Sequence, residues 1–205
     1  MIKMNQYQFI AATNLLGLNI NIKNGNIEEV KQPYENYLQV LKDGLSWEYS
    51  EVNFERKPGP QKENIANFND EEQALQYFFI HLLKKSYFKE IFPPNNPAHQ
   101  INDLNALTQY LYGLGVTDEY FSFDHVKPIE IYGDVDSNHH IEISFINSLN
   151  QKSFTTMLLP LNRGIFAMYR FTYSLFLLKQ VEKRLLEENI INKSFSDWDI
   201  ELFIK

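Results

Sequence analysis

Residues 45–56 of the chain read Leu45-Ser-Trp-Glu-Tyr-Ser-Glu-Val-Asn-Phe-Glu-Arg56, and residues 68–75 read Phe68-Asn-Asp-Glu-Glu-Gln-Ala-Leu75. The first run predicts the second arm of a β-hairpin that turns at Lys42-Asp43-Gly44, with residues 37–41 as the first arm. The second run predicts the start of a helix. Between them, Pro58-Gly59-Pro60 and the polar residues 61–64 predict a loop. This stretch therefore indicates a strand, a loop and a helix in sequence.

The helix that follows residue 68 has a single apolar stripe. Its large apolar residues recur at the spacing of one helical face and are Leu75, Phe78, Phe79, Leu82 and Leu83. Acidic residues lead the helix, and Lys84-Lys85 lie near its end, which suits the helix dipole. We expect the helix to begin at Asn69 or Asp70, with Asn69 and Glu72 at capping-box spacing.

The rest of the chain predicts further helices and hairpins. We expect a short helix at residues 7–16 ended by Gly17, a hairpin at residues 19–30 around Asn24-Gly25, a helix at 103–113, strands at 120–123, 128–132, 141–146 and 154–159, and a long helix from Asn162 to about Asn189. The pattern predicts an α+β fold, in which one or more antiparallel sheets are packed by amphipathic helices.

The run Phe92-Pro-Pro-Asn-Asn-Pro-Ala-His99 is the clearest internal break. We therefore predict an N-terminal α+β half at residues 1–92, a Pro/Asn linker at 93–102, and a C-terminal α+β half with a long helix at 103–205. Two short apolar echoes recur about 95 residues apart, as a duplication of α-β-β-β-α halves would produce. Chance would also produce echoes this short.

Composition limits the function classes. The 205 residues carry a formal net charge of −7 and contain no cysteine. Negative charge disfavours nucleic acid and favours a basic partner, and the lack of cysteine removes disulfides and thiolate chemistry. The longest apolar-rich stretch, residues 165–178, is shorter than the roughly 20 residues that a membrane span needs. We expect a cytoplasmic protein that does not bind membranes.

Candidate catalytic and metal motifs fail on inspection. Asp134-Val-Asp136-Ser-Asn138 resembles the start of a calcium loop, but the required Gly and Glu are replaced by His139 and Phe145. We interpret this run as a polar turn between two strands. His139 and His140 are adjacent, so in a strand they would point to opposite faces. We therefore predict no catalytic residue, no metal site and no cofactor.

The strand and helix of the opening stretch carry the one resemblance to a known family. The run from Trp47 to Arg56, followed by a polar loop and the Phe-Asn-Asp-Glu-Glu-Gln-Ala opening of the helix, resembles immunity proteins of bacterial polymorphic toxin systems. The pattern departs from the family after Arg56, where Lys-Pro-Gly follows instead of Gly. The resemblance implies an antitoxin that binds and neutralises a cognate toxin domain stoichiometrically, without catalysis.

Acidic charge and aromatic side chains suit such binding, because charge speeds encounter and aromatics anchor the complex. The candidate contact residues are Trp47, Tyr49, Glu51, Glu55 and Glu72. For two of them, Trp47 and Tyr49, a position in the core explains the residue type somewhat better than a role as a binding anchor. Two other functions remain open. The chain could be a regulatory or homodimeric binding module that associates through its aromatic-rich long helix, or an enzyme with an unrecognised site.

Overall fold

Two compact units make up the chain, and each contains one β-sheet together with helices. The computed structural model describes residues 3–55 and 59–205. Unit 1 consists of Met1–Ser86 and Arg184–Ser196, and unit 2 of Tyr87–Lys183 and Asp197–Lys205. Both sheets are mainly antiparallel, so the predicted α+β class is confirmed. Arg56 and Pro58, named in the predicted strand and loop, lie outside the described residues.

Unit 1 is built on a five-stranded meander. Its elements are helix α1 (Gln6–Leu15), strands β1 (Ile20–Lys23), β2 (Asn26–Glu29), β3 (Tyr37–Asp43), β4 (Ser46–Asn53) and β5 (Gln61–Phe68), and most of helix α2 (Glu71–Ile91). The strands pair in chain order, each antiparallel to the next. Both predicted hairpins are present. Asn24 and Gly25 have φ values of 53° and 80°, as a type I′ turn requires.

The prediction of a loop at residues 61–64 is wrong, because these residues begin strand β5. They are polar on both faces, so the sequence carries no alternation typical of a strand. The first three of them, Gln61, Lys62 and Glu63, nevertheless pair with residues 53, 52 and 51 of β4. The register shifts between Tyr49 and Glu51, and Asn64 on β5 has a φ of 49°, which marks a β-bulge.

Helix α2 provides the core of unit 1. The five residues of its predicted apolar stripe are all buried. The ring of Phe9 on α1 lies 5.8 Å from that of Phe78 and 6.4 Å from that of Phe79. Asp70 caps the helix by accepting hydrogen bonds from the backbone N–H groups of Glu72 and Gln73. The helix therefore starts at Glu71, and the cap is Asp70 rather than an Asn69–Glu72 box.

Unit 2 contains a more irregular sheet. Its elements are the end of α2, a 3₁₀ helix (Pro97–Gln100), α3 (Leu104–Gly113), β6 (Phe121–Ser122), β7 (Glu130–Val135), β8 (His140–Ile146), β9 (Lys152–Thr155), β10 (Leu159–Pro160), most of α4 (Leu161–Glu187) and α5 (Asp197–Ile204). The sheet order is β10-β8-β7-β6, with β9 also paired to β8. Strands β6 and β7 run parallel, and the other pairs are antiparallel.

Several boundaries in unit 2 differ from the prediction. The strand expected at residues 154–159 is present as two shorter strands, β9 and β10. Both of them pair with β8. Helix α4 begins at Leu161, so Asn162 lies inside the helix and is not its cap. The turn at residues 136–139 is confirmed. The Asp136 carboxylate accepts hydrogen bonds from the backbone N–H groups of Asn138 and His140.

The division of the chain also differs from the predicted halves. Residues 93–102, predicted as a linker, lie inside unit 2, where the buried amide of Asn96 donates to the Ile91 carbonyl and accepts from the Ala98 N–H. Residues 184–196 belong to unit 1, where the Ile190 carbonyl accepts from the Gln8 side chain. A helix, five strands and a helix occur in that order twice along the chain, but the two sheets are paired differently.

Candidate partner-binding surface

Strand β4 and helix α2 bring aromatic and acidic side chains together in unit 1. Trp47, Tyr49 and Glu51 alternate along β4 and therefore share one face of the sheet. Helix α2 lies on that face. The ring of Tyr49 is fully buried and lies 4.8 Å from that of Tyr77 and 4.9 Å from that of His81. We call the surface formed by Trp47, Tyr49, Glu51, Glu63, Phe68, Tyr77 and His81 the β4–α2 surface.

Glu51 is the charged centre of this surface. Its carboxylate accepts a hydrogen bond of 3.1 Å from the Tyr49 hydroxyl and lies 3.9 Å from Nδ1 of His81. The side chain remains 35% exposed, so one part of the carboxylate faces solvent. Burial of Tyr49 and the neighbouring Glu51 charge raise the pKa of the phenol, which therefore stays protonated and acts as a donor.

His81 does not neutralise Glu51. Burial, together with the smaller effect of the nearby Lys84 charge, lowers the pKa of His81 to about 4. The imidazole is therefore uncharged at neutral pH. Among the described residues, no lysine or arginine forms an ion pair with Glu51. The carboxylate has a hydrogen-bond donor beside it but no cation from this part of the chain.

The neighbouring carboxylates of unit 1 are different in this respect. Glu48 points to the opposite face of β4 and pairs with Lys62 at 2.6 Å. Glu29 on β2 pairs with Lys85 of α2, also at 2.6 Å. Asp70 pairs with Lys3. Glu51 differs from the other three carboxylates, because within residues 3–55 and 59–205 it forms no ion pair with a lysine or arginine and lies near the uncharged His81 imidazole instead.

The β-bulge on β5 determines what lies opposite Glu51. Tyr49 pairs with Ala66, so a regular antiparallel register would place Asn64 opposite Glu51. The extra residue in β5 places Glu63 there instead. Like charges directly opposite each other on one face destabilise a sheet. The bulge therefore creates a cross-strand pair of carboxylates at the centre of the surface.

Aromatic rings lie next to Glu51 and further along the same face of the sheet. Trp47 lies opposite Phe68 across the strands, and the Phe68 ring is 5.1 Å from that of Tyr77. The Tyr77 and His81 rings are 4.5 Å apart, one helical turn from each other on α2. Trp47 and Tyr77 are half-buried. Burial and the charge of Glu51 both raise the pKa of the Tyr77 hydroxyl, whereas Trp47 lies four residues along β4 from Glu51, about 13 Å at the rise of a strand. The arrangement resembles the mixed aromatic and acidic environment that binds organic cations.

The structure brings together three of the five predicted contact residues. Trp47, Tyr49 and Glu51 belong to the β4–α2 surface, although the Tyr49 side chain is fully buried beneath it. Glu55 lies beyond the end of β4, where its carboxylate accepts a hydrogen bond of 3.4 Å from the Asn36 amide. Glu72 lies in the first turn of α2, and its backbone N–H is bound by the Asp70 cap. In the described part of the chain, no contact links either residue to Glu51.

The candidate contact residues predicted from the sequence did not include the other four members of the surface, which are Glu63, Phe68, Tyr77 and His81. Tyr77 and His81 are four residues apart, so they share a helix face, and this spacing was a usable signal. The position of Glu63 had no such signal, because it depends on the bulge in β5.

Comparison with known proteins adds no assignment: the chain matches no family model, no curated protein and no solved structure. The class that fold and surface define is an α+β protein with an acidic, aromatic-lined face. Within the described residues, no helix has the length and apolarity needed to cross a membrane. In the same residues, no group of three or more His, Asp or Glu side chains is arranged to hold a metal ion.

Proposed function

We propose that the protein is an immunity-type binding protein that neutralises a cognate bacterial toxin domain by holding a basic region of it on the β4–α2 surface. The partner would place a lysine or arginine side chain against Glu51 and Glu63, with its carbon stem against Tyr77. Neutralisation is stoichiometric, because it needs only occupancy of the partner's surface and no chemical step.

The observation that carries this proposal is the cross-strand pair of Glu51 and Glu63. The register that pairs them depends on a bulge. A cation from a partner would meet the Glu51 carboxylate, which forms no ion pair with a lysine or arginine among the described residues. Since the Tyr49 hydroxyl already orients Glu51, little side-chain freedom would be lost on binding.

The aromatic residues support the same conclusion. Arginine stacks on aromatic rings and forms two parallel hydrogen bonds with a carboxylate, and aromatic residues are enriched at the energetic centres of interfaces. The β4–α2 surface offers both kinds of contact within one face. The overall charge of −7 would also attract a basic partner over longer distances.

The alternative of a homodimer through the long helix has less support. It relied on the aromatic residues of α4, and three of these, Tyr169, Phe171 and Tyr173, retain at most 8% of their surface exposed within unit 2. Such residues have little area left for a second copy. Homodimerisation through another surface stays a prediction, and size-exclusion chromatography with light scattering would measure it.

The immunity function requires that a toxin domain be encoded close to this gene, and a direct test co-expresses the protein with such a domain, sought first immediately upstream of the gene. Co-expression should restore growth of cells that produce this domain, and the two purified proteins should form a 1:1 complex. Replacing Glu51 or Glu63 with Gln keeps the shape and removes one charge. We expect each change to weaken binding by about 10- to 100-fold in calorimetry.

Glu48→Gln is the matched control, since it removes the same charge from the same strand on the opposite face. It should change affinity by less than about threefold, as expected for a charge remote from the contact. Equal losses from Glu48→Gln and Glu51→Gln would show that only bulk charge matters. Failure of co-expression to protect cells would refute the immunity function itself.

A further inference from the structure

Unit 2 contains an open cleft of about 470 Å³ that the proposed toxin-binding function does not use. It lies between the first two turns of α3 and the segment that runs from residue 118 through β6 to residue 127. Phe121 and Phe123 supply apolar lining, and Asp118, Asp124 and Lys127 supply charge. The volume falls in the range of about 300–1,000 Å³ that small-molecule sites occupy.

The loop on one side of the cleft is unusually short for its topology. Residues 123–129 connect the parallel strands β6 and β7, a connection that ordinarily takes about a dozen residues or more. Ile129 has a φ of 60°, a left-handed conformation that costs a β-branched residue roughly 1–2 kcal/mol. Strain of this kind persists only where surrounding contacts enforce it, and it is concentrated at functional sites.

The enforcing contact is the fully buried carboxylate of Glu130. Oε1 accepts a hydrogen bond of 2.6 Å from the backbone N–H of Lys127 and lies 2.8 Å from the Ser122 hydroxyl, whose single proton is shared between Oε1 and the His125 carbonyl at 2.6 Å. Nζ of Lys127 donates to the Asp118 carbonyl at 2.5 Å and lies 3.6 Å from Oε2 of Glu130. Glu130 thus ties both ends of the loop together and holds Lys127 at the cleft.

This arrangement leaves the cleft with an excess of negative charge. Lys127 and Glu130 have opposite charges and offset each other. Asp118 accepts a hydrogen bond of 2.5 Å from the Tyr112 hydroxyl, and Asp124 contacts Nδ1 of His125 at 2.7 Å. The side chain of Asp124 is 81% exposed, so it can still meet a ligand. Two carboxylates therefore flank a cleft whose lining includes two phenylalanine rings.

We propose that this cleft binds a small organic cation with an aromatic body, whose charged group lies against Asp118 and Asp124 and whose ring contacts Leu104 and Phe123. A ring and a charged group on one molecule match the two kinds of lining. The cleft is also several times larger than a single basic side chain needs, which favours a free small molecule over a side chain of a protein partner. This binding is independent of the toxin-binding function and of Glu51.

The test uses tyramine and benzamidine as probes on the full chain labelled with ¹⁵N. We expect saturable shifts of backbone resonances at residues 104–108 and 118–127, with a Kd at or below about 1 mM. Asp118→Asn and Asp124→Asn should each weaken binding about three- to fivefold, the effect of losing one exposed charge contact. Spectra of the ligand-free variants show whether they remain folded.

Two controls separate this site from general attraction of cations. Glu119 is adjacent to Asp118 but does not line the cleft. Glu119→Gln removes the same charge and should leave the affinities for tyramine and benzamidine unchanged. The anion 4-hydroxyphenylacetate has the same ring as tyramine and should not bind. Binding of this anion, equal weakening by Glu119→Gln, or the absence of saturable shifts with both cations would each overturn the proposal. Tighter binding of N-acetyl-lysine amide than of tyramine would overturn the assignment to a free small molecule.

Discussion

The buried imidazole of His81 should make the stability of this protein depend on pH in a predictable way. Its side chain is only 15% exposed, and burial lowers its pKa to about 4 from the usual 6.5. The unfolded chain therefore binds a proton more readily than the folded chain at pH values between these two pKa values. The free energy of unfolding is therefore unaffected by the protonation of His81 above pH 6.5, and it decreases as the pH falls from 6.5 towards 4.

The size of the effect follows from the two pKa values. With a pKa of 6.5 in the unfolded chain and about 4 in the folded chain, linkage gives a loss of about 2 kcal/mol at pH 5 and about 3 kcal/mol at pH 4. A loss of this size is a large share of the 5–15 kcal/mol that typically separates folded from unfolded states. It should be visible in urea unfolding followed by circular dichroism.

His81→Leu isolates this contribution. Leucine fills a similar space, cannot titrate, and removes a buried Nε2 atom for which the structure shows no hydrogen-bond partner. At pH 7.5 the variant should differ from the natural protein by less than about 1.5 kcal/mol. Between pH 7.5 and 5 it should lose about 2 kcal/mol less stability.

His139→Asn is the control for this experiment. His139 is exposed in the turn before β8 and has a φ of 59°, which asparagine tolerates well. Its replacement should leave the pH dependence as in the natural protein. An NMR titration reads the His81 imidazole directly. A midpoint at or above pH 6.5, or identical pH dependence in the natural protein and His81→Leu, would refute the reasoning.

Three further predictions concern packing and buried hydrogen bonds. Gly164→Ala should destabilise the protein by about 1–3 kcal/mol despite alanine's higher helix propensity, because the new Cβ would lie 1.9 Å from Cγ2 of Ile141. Gly113→Ala, at an open helical position, should instead stabilise it by up to about 1 kcal/mol, and calorimetric melting of both variants checks this contrast. Glu130→Ala should cost about 2–4 kcal/mol, since its donors lose their buried acceptor, whereas Glu130→Gln should cost less; equal losses in urea unfolding would contradict the hydrogen-bonding role. Tyr49→Phe should cost only about 0.5–1.5 kcal/mol in the same assay, because the buried ring remains and one hydrogen bond is lost.

Local signals in the sequence were sufficient for much of the fold. The Asn24-Gly25 turn predicts a hairpin because few other dipeptides adopt two consecutive positive φ values without strain. The stripe from Leu75 to Leu83 predicts the buried face of α2 because apolar spacing fixes which side of a helix leaves water. Both features are present as predicted. They depend on residues that are close together in the chain.

Strand β5 shows where such reasoning fails. Residues 61–64 are polar, so neither periodicity nor propensity distinguishes them from a loop. Their strand conformation comes from backbone hydrogen bonds to β4, which depend on how residues 47–53 are placed. Local sequence signals also could not place residues 184–196 in unit 1. That placement involves the hydrogen bond from the Gln8 side chain to the Ile190 carbonyl, which joins positions far apart in sequence.

The sequence by itself determined the α+β class, the two hairpins, the α2 core stripe and an acidic chain with aromatic residues in β4. Only the tertiary structure decided which carboxylates meet and which are neutralised. Glu48 is paired with a lysine, whereas Glu51 faces Glu63 because a bulge shifts the register of β5. The cleft in unit 2 likewise depends on the buried carboxylate of Glu130 on β7, which contacts Ser122 on the neighbouring parallel strand β6. Charge and periodicity are properties of a chain, but the partner of each charge depends on contacts between distant residues.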